Sequence, residues 1–445
     1  MDSITQEYID KHPRSRALYE KSLQMFPGGV THDTRYVTPF PTFVTHASGA
    51  RKWDVDGNEY VCYVMGHGAL ILGHSHPEIA RVVQEQVTKG THLGANTELE
   101  LAWADAVKRL VPSVEKIRFH SSGTEATLMA FRIARTFTGK NKIIKFLDHF
   151  HGWHDYAVAG PGRYASGGIP KSVEQTMIVL PPGDIGVVEK VLREDKDVAA
   201  VILEPTGASG GALPVMPGFL RDLRAVTERY RVLLIFDEVV TGFRTSSGGA
   251  QMRFGIRPDL TTMAKILAGG LPGGAVGGRA EILDMIAFKD VPGWNQGRRV
   301  AHPGTFNANP LSAAAGSRCL EMIATQPINK RADAAATRLK KGFNEVLARQ
   351  EVPGFAYGLA SLVWVALGKD YDGDLDFCNM PHDQLKTLLA RDKILPFKRA
   401  MLNNGVDFMT GSEFVVSSEH TDRDVDDTIA AFEKAVAALR REGIV

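Results

Sequence analysis

Cysteine is scarce in this chain: three in 445 residues, at Cys62, Cys319 and Cys378. Their spacing offers neither a disulfide framework nor a cysteine metal site, which fits a reducing compartment. A surplus of either charge is also missing. Lys plus Arg number 52 and Asp plus Glu 51, leaving a net charge of +1. That balance argues against a nucleic-acid partner and against a polybasic membrane-surface protein. No apolar run reaches about 18 residues, so no membrane span is expected. The opening MDSITQEYIDKHPRSR is polar, so no secretory signal is expected and the cytoplasm is the predicted compartment. Hydrophobic residues at 44% and charged residues at 23% lie near the globular average, which excludes disorder as the main state.

Glycine, by contrast, is abundant at 44 residues, above the usual share of about 7%. It clusters between periodic segments, where ligand chemistry tends to sit. At about 150 residues per domain the length suggests two or three domains. Residues 15–26 read as a helix stopped by Pro27-Gly28-Gly29, and Asp56-Gly57-Asn58 as a hairpin turn. From residue 59 on, short apolar runs alternate with amphipathic helices, the pattern of a mostly parallel, doubly wound α/β sheet. The runs fall at 116–119, 143–147, 177–180, 199–203 and 232–236. Several are apolar at consecutive positions, as strands covered on both faces should be. Residues 358–367 and 413–417 read as strands, and 421–439 as a terminal helix capped by Thr421 with Asp424 three residues on. The expected organisation is a large domain at 61–330 and a smaller α+β domain built from 1–60 and 331–445.

Ligands of open α/β sheets bind beyond the carboxyl ends of the strands. There this sequence places Ser121-Ser122-Gly123-Thr124-Glu125, then His149-Phe150-His151-Gly152, Glu204-Pro205, Asp237-Glu238-Val239, and Lys265 before a glycine-rich stretch. Ser122 and Glu125 have capping-box spacing at the start of a strong helix that Gly139 closes. Such a start is either a plain capped helix or an anion site, since free amides and the helix dipole attract phosphate. Asp237 ends an apolar run and needs a cationic partner, either a structural ion pair or a ligand. Lys265 follows an apolar run; it is a solvated surface lysine or, if desolvated, a nucleophile able to form a Schiff base. The tract His149, His151, His154 matches no common zinc spacing, so no metal is expected and packing or substrate contact is favoured. The stretch 269–278 holds neither a P-loop nor a dinucleotide fingerprint.

Six segments in order resemble the class III aminotransferases, pyridoxal-phosphate enzymes of fold type I. They are Ser-Gly-Thr-Glu-Ala at 122–126, Phe-His-Gly at 150–152, Glu-Pro at 204–205, Asp-Glu-Val at 237–239, Lys265 before Gly-Gly, and Gly-Thr-Phe at 304–306. The resemblance spans nearly the whole chain. It implies pyridoxal 5′-phosphate as cofactor, Lys265 as the Schiff-base lysine and Asp237 facing the pyridine nitrogen. Val239 and Phe150 would pack on opposite ring faces. Ser122, Gly123 and Thr124 would hold the phosphate, with His151 and Glu204 also at the cofactor. Thr305 would reach the phosphate of a neighbouring subunit in a homodimer with shared sites. The likeness is greatest to the branch of glutamate-1-semialdehyde aminomutase, D-phenylglycine aminotransferase and β-amino-acid aminotransferases. There the loop Pro27-Gly28-Gly29-Val30-Thr31 with Arg35 resembles a substrate-carboxylate site; an Arg35–Asp33 surface pair is the plainer reading.

The chemistry is consistent with this likeness. An anionic carboxylate near a ring nitrogen favours its protonated form, and a lysine can serve as both nucleophile and proton carrier. The leading expectation is a ping-pong aminotransferase acting on an amino acid and an oxo acid. An aminomutase that moves the amino group within one molecule is the alternative, and racemisation would use the same lysine. A non-catalytic phosphate-ligand binder is the remote third. The segment 408–414 departs from the aminomutase pattern, which lowers that alternative at this stage.

Overall fold

The computed structural model describes residues 2–445. Contacts divide the chain into two compact units, one of Met1–Pro77 with Pro327–Val445 and one of Glu78–Gln326. The unit of the chain ends thus takes in residues up to 77, since the strand Glu59–Cys62 hydrogen-bonds in parallel with Val406–Asp407.

The central unit is built on a seven-stranded sheet. Its strands are β1 (Lys116–His120), β2 (Lys142–Phe146), β3 (Met177–Leu180), β4 (Val198–Leu203), β5 (Leu233–Asp237), β6 (Leu260–Ala264) and β7 (Gly274–Gly278), in the order β1-β7-β6-β5-β4-β2-β3. β7 runs antiparallel to both its neighbours; the other pairings are parallel. Along β5, Leu233 and Ile235 join one core with Met129 and Ile133, while Leu234 and Phe236 join another with Leu220 and Leu223. Side chains alternate faces along a strand, so both faces are covered and all five β5 residues are buried. The five expected apolar runs all fall in strands, and the fold is the expected doubly wound one.

β7 is the strand that the sequence hides, because Gly274-Ala-Val-Gly-Gly278 reads as loop. Its glycines answer to space. A Cβ on Gly274 would stand 2.2 Å from the Ser122 carbonyl oxygen, far inside van der Waals contact. The strand is bare so that the turn at Ser122 can lie against it.

In the unit of the chain ends, Val44–Ser48, Arg51–Asp54, Glu59–Cys62 and Val406–Asp407 form one sheet, and Gly354–Tyr357, Leu362–Leu367 and Glu413–Val415 another. Of the expected strand at 358–367, only Leu362–Leu367 is strand; 358–361 is the turn that joins it to its antiparallel partner Gly354–Tyr357. Gly358 turns at φ +138°, and a Cβ there would meet the Leu362 carbonyl at 2.2 Å. Phe343, Phe397, Phe414 and Phe432 centre the core under helices Ile328–Arg349 and Asp422–Arg441. The Thr421–Asp424 capping box forms as expected. The first expected helix is Pro13–Ser22, shifted towards the N-terminus. Pro13 opens it because a first-turn residue needs no amide donor. Among the described residues no helix is long and apolar enough to cross a membrane.

Candidate active site

Three carboxyl ends of the central sheet converge on one place. Asp237 is the last residue of β5 and pairs in register with Thr262 of β6. Lys265 therefore follows three residues later on the same edge, one past the end of β6. Gly123 opens helix α1 (Gly123–Thr138), and a Cβ built on it would lie 3.0 Å from Val239 Cγ2 and 3.4 Å from Ala264 Cβ. The α1 N-terminus, the residue two beyond Asp237 and the residue before Lys265 are thus in contact distance, with only a hydrogen's room at Gly123.

Ser122 caps α1, its Oγ accepting from the Glu125 amide at 3.2 Å. The reciprocal half of the expected capping box is displaced by one residue, for the Glu125 carboxylate accepts from the Ser121 amide at 2.6 Å. Other first-turn amides stay open to an anion, as a helix start leaves them. Lys265 is half-buried, takes the left-handed conformation at φ +54°, and opens the short turn Lys265–Ala268. A non-glycine residue held there carries strain of about 1–3 kcal/mol, a cost that clusters at functional sites.

Asp237 is buried, and its partner is a residue of the histidine tract. The His151 Nδ1–H donates to Asp237 Oδ2 at 2.7 Å. The Val239 amide and the Thr262 hydroxyl donate to Oδ1 at 3.1 and 3.3 Å. The carboxylate is thereby fixed in orientation. His151 in turn is anchored through its carbonyl, which accepts from the Thr127 hydroxyl of α1 at 2.6 Å. Gly152 permits this approach at φ +96°, for a Cβ there would fall 2.7 Å from Thr124 Oγ1. His154 lies 3.2 Å from the same Thr127 hydroxyl and caps a short helix at Asp155–Val158. Burial pushes its pKa down to about 4, with His151 adding to the effect.

Glu204, at the end of β4, spends its carboxylate on the backbone. It accepts from the amides of Phe150 at 2.8 Å, Ser209 at 3.1 Å and Gly210 at 2.7 Å. The Glu204 amide donates to His149 Nδ1 at 3.0 Å. Burial, with the like charge of Asp237, pushes the Glu204 pKa up to about 8, against those three donors. Glu204 therefore positions the Phe150 loop through the main chain. Phe150 itself is 42% exposed, with its ring 4.7 Å from that of Tyr164. Thr305 is exposed on a turn, and its carbonyl accepts from His92 Nε2.

Arg35 belongs to the other unit, in the short turn Asp33–Arg35. It is exposed, and its Nη1 donates to Thr31 Oγ1 at 3.0 Å. The Thr34 hydroxyl lies 3.0 Å from both His32 Nδ1 and His67 Nε2, tying this loop to the Gly66-His67-Gly68 turn. Thr262, Thr127 and the His151–Asp237 pairing were not anticipated from sequence. For Thr262 the signal was present, since a polar residue inside an apolar strand beside Asp237 asks for a hydrogen-bond partner.

An anchored buried carboxylate, a capped helix start pressed on a bare strand, an exposed aromatic ring and a strained lysine at one sheet edge suit a planar cationic ring bearing an anionic tail. The residues present fit pyridoxal 5′-phosphate, and the fold is that of a fold type I pyridoxal-phosphate enzyme. The family model described as aminotransferase class-III matches residues 33–384, and the chain belongs to that family. A glutamate-1-semialdehyde 2,1-aminomutase of Methanothrix thermoacetophila is 39% identical over 94% of this chain and 95% of its own. An omega-transaminase structure from Sphaerobacter thermophilus aligns with TM-score 0.85 at 32% identity, over 96% of this chain and 98% of the other. A transaminase solved with PLP bound aligns with TM-score 0.86 at 29% identity, over 97% and 99%. The chain is thus a pyridoxal-phosphate-dependent enzyme of the class III aminotransferases.

Proposed function

We propose that this enzyme moves an amino group within one molecule, as a glutamate-1-semialdehyde 2,1-aminomutase does. The observation that carries this reading is the run of curated relatives of that name, 37–39% identical along nearly their whole length. It reverses the order expected from sequence, where exchange between an amino acid and an oxo acid led. That intermolecular reading stands second, supported by the 32% identity to an omega-transaminase.

Either course asks the same of this chain's residues. Bound pyridoxal phosphate supplies an aldehyde that takes up an amino group and a ring that accepts an electron pair. Asp237, fixed by His151, Val239 and Thr262, holds a proton on the ring nitrogen by its negative charge. Lys265 would hold the group through Nζ and would supply the base that moves a proton between neighbouring substrate carbons. Ser122, Gly123 and Thr124 bind the phosphate at the α1 start. Val239 and Phe150 would pack against the ring, and Arg35 would bind the substrate carboxylate by paired hydrogen bonds.

The deciding experiment supplies glutamate-1-semialdehyde alone, then amino donors with and without pyruvate or 2-oxoglutarate. Turnover of the semialdehyde without any acceptor is expected; turnover only when donor and acceptor are both present would establish the second reading. In the same assay Arg35→Lys should raise KM for carboxylate substrates well above its effect on a simple amine, and equal effects would remove Arg35 from this role.

Thr305 we assign to the phosphate held by a second copy of the chain, making each site the work of two subunits. Dilution to monomers should then release cofactor and activity together. A monomer that remains loaded and active would sink the shared site.

A further inference from the structure

The unit of the chain ends holds a cavity of about 400 Å³ whose buried charge cluster the amino-transfer chemistry does not account for. Its lining includes Tyr8, Phe26, Val37, Phe43 and Phe408, so its walls are largely apolar. Two ammonium groups, Lys52 and Lys398, also line it, and both residues are buried. They share one carboxylate: each bonds a different oxygen of Asp407, and Lys398 also donates to the Phe408 carbonyl.

A lysine ammonium has three N–H donors. Lys52 uses one of them and Lys398 two on protein acceptors among the described residues. Three donors on buried cations therefore have no protein acceptor among the described residues. A buried ammonium with unused donors is costly, and an oxyanion offers the best compensation. Other charges near the pair are accounted for. Asp54 acts on Lys52 from a distance, but its oxygens already accept from Tyr60, Asn58 and the Asp56 amide. The Cys62 thiol acts on both lysines and lies 3.4 Å from His74 Nε2. Against the upward push of burial, Lys398 and Lys52 hold the Asp407 carboxyl well below its usual range. The cluster is then two cations to one fixed anion. Arg35, exposed where the lysines are buried, adds a third cation to the lining.

We infer that this cavity is a binding site for a small carboxylate with an apolar body, its carboxylate seated on Lys52 and Lys398 and its body against the aromatic and aliphatic wall. The site lies wholly within one unit; its rim shares Arg35 and Thr31 with the proposed substrate-carboxylate site, whereas Lys52, Lys398 and Asp407 have no part in the proposed amino-transfer reaction. Asp407 acts as an internal competitor: it holds the two ammoniums together and sets how tightly an incoming carboxylate is gripped.

The test uses the holoenzyme and calorimetric titration with hexanoate, its neutral counterpart hexanamide, and four variants. Neither probe carries an amino or oxo group, so the outcome does not depend on the transfer reaction. Hexanoate should bind saturably, and hexanamide weaker by about tenfold or more. Lys398→Met should abolish that preference, whereas Lys398→Arg, which keeps the charge, should retain it and serves as the folding control. Asp407→Asn should tighten hexanoate several-fold, because the competing carboxylate is gone. Equal binding of acid and amide would overturn the assignment. So would a preference that survives Lys398→Met but disappears in Arg35→Gln, which would seat the anion on the exposed arginine instead.

Discussion

Lys265→Ala protein, loaded with pyridoxal phosphate and treated with borohydride, should carry no pyridoxyl mark on the peptide that follows β6. The native enzyme should carry it on Lys265 alone. The structure supplies the reasons: a lysine one residue beyond a fully buried strand, held half-buried at φ +54°. No other residue of the turn Lys265–Ala268 bears a nucleophile. Turnover should fall by about 10²–10⁴-fold from the lost proton carrier alone, and further because the covalent tether is gone. Cofactor should still associate through its phosphate, so absorbance of bound but unfixed cofactor is expected. A mark on another lysine, in either protein, would reassign the role.

Asp237→Asn is the second large effect. Asparagine keeps the shape: its carbonyl oxygen can still accept from Val239 and Thr262, and its amide can donate to His151 Nδ1 in the imidazole's other tautomer, so the fold should hold and thermal unfolding should shift little. What disappears is the negative charge. A preorganised electrostatic group of this kind is worth on the order of 10²–10³-fold in rate, and the loss should appear in proton abstraction rather than in cofactor binding. Single-turnover kinetics with a Cα-deuterated substrate separate the two. A native rate would show that another residue faces the nitrogen. His151→Phe is informative beside it: Asp237 would keep its charge but lose its 2.7 Å anchor, so a smaller loss than in Asp237→Asn is expected.

Much of this site was legible because its residues stand at ends of apolar runs. Strands such as β4 and β5 announced themselves by consecutive apolar residues, and Asp237, Glu204 and Lys265 were visible as the polar residues that stop such runs. What stayed hidden was set by space or by distance along the chain. β7 has almost no side chains, so neither periodicity nor propensity marks it; its glycines answer to close neighbours, Ser122 at Gly274, Val114 at Gly277 and Asp259 at Gly278. The His151–Asp237 bond joins residues 86 apart, and nothing local signals it. Lys52 and Asp407 are 355 apart. A faint signal existed there: along Arg51–Asp54 alternate residues are buried, and a lysine on the buried side of a strand asks for a carboxylate.

The glycine strand also limits how this enzyme can change. Substitution at Gly274 would drive a methyl group into the carbonyl of Ser122, at Gly277 into the Val114 side chain at 2.7 Å, and at Gly123 into Val239. The floor beneath the helix start is therefore closed to mutational tuning. Libraries aimed at new substrates would waste their diversity there. Variation that survives has to come from exposed loop positions such as Phe150 and Thr305, where the side chains meet solvent.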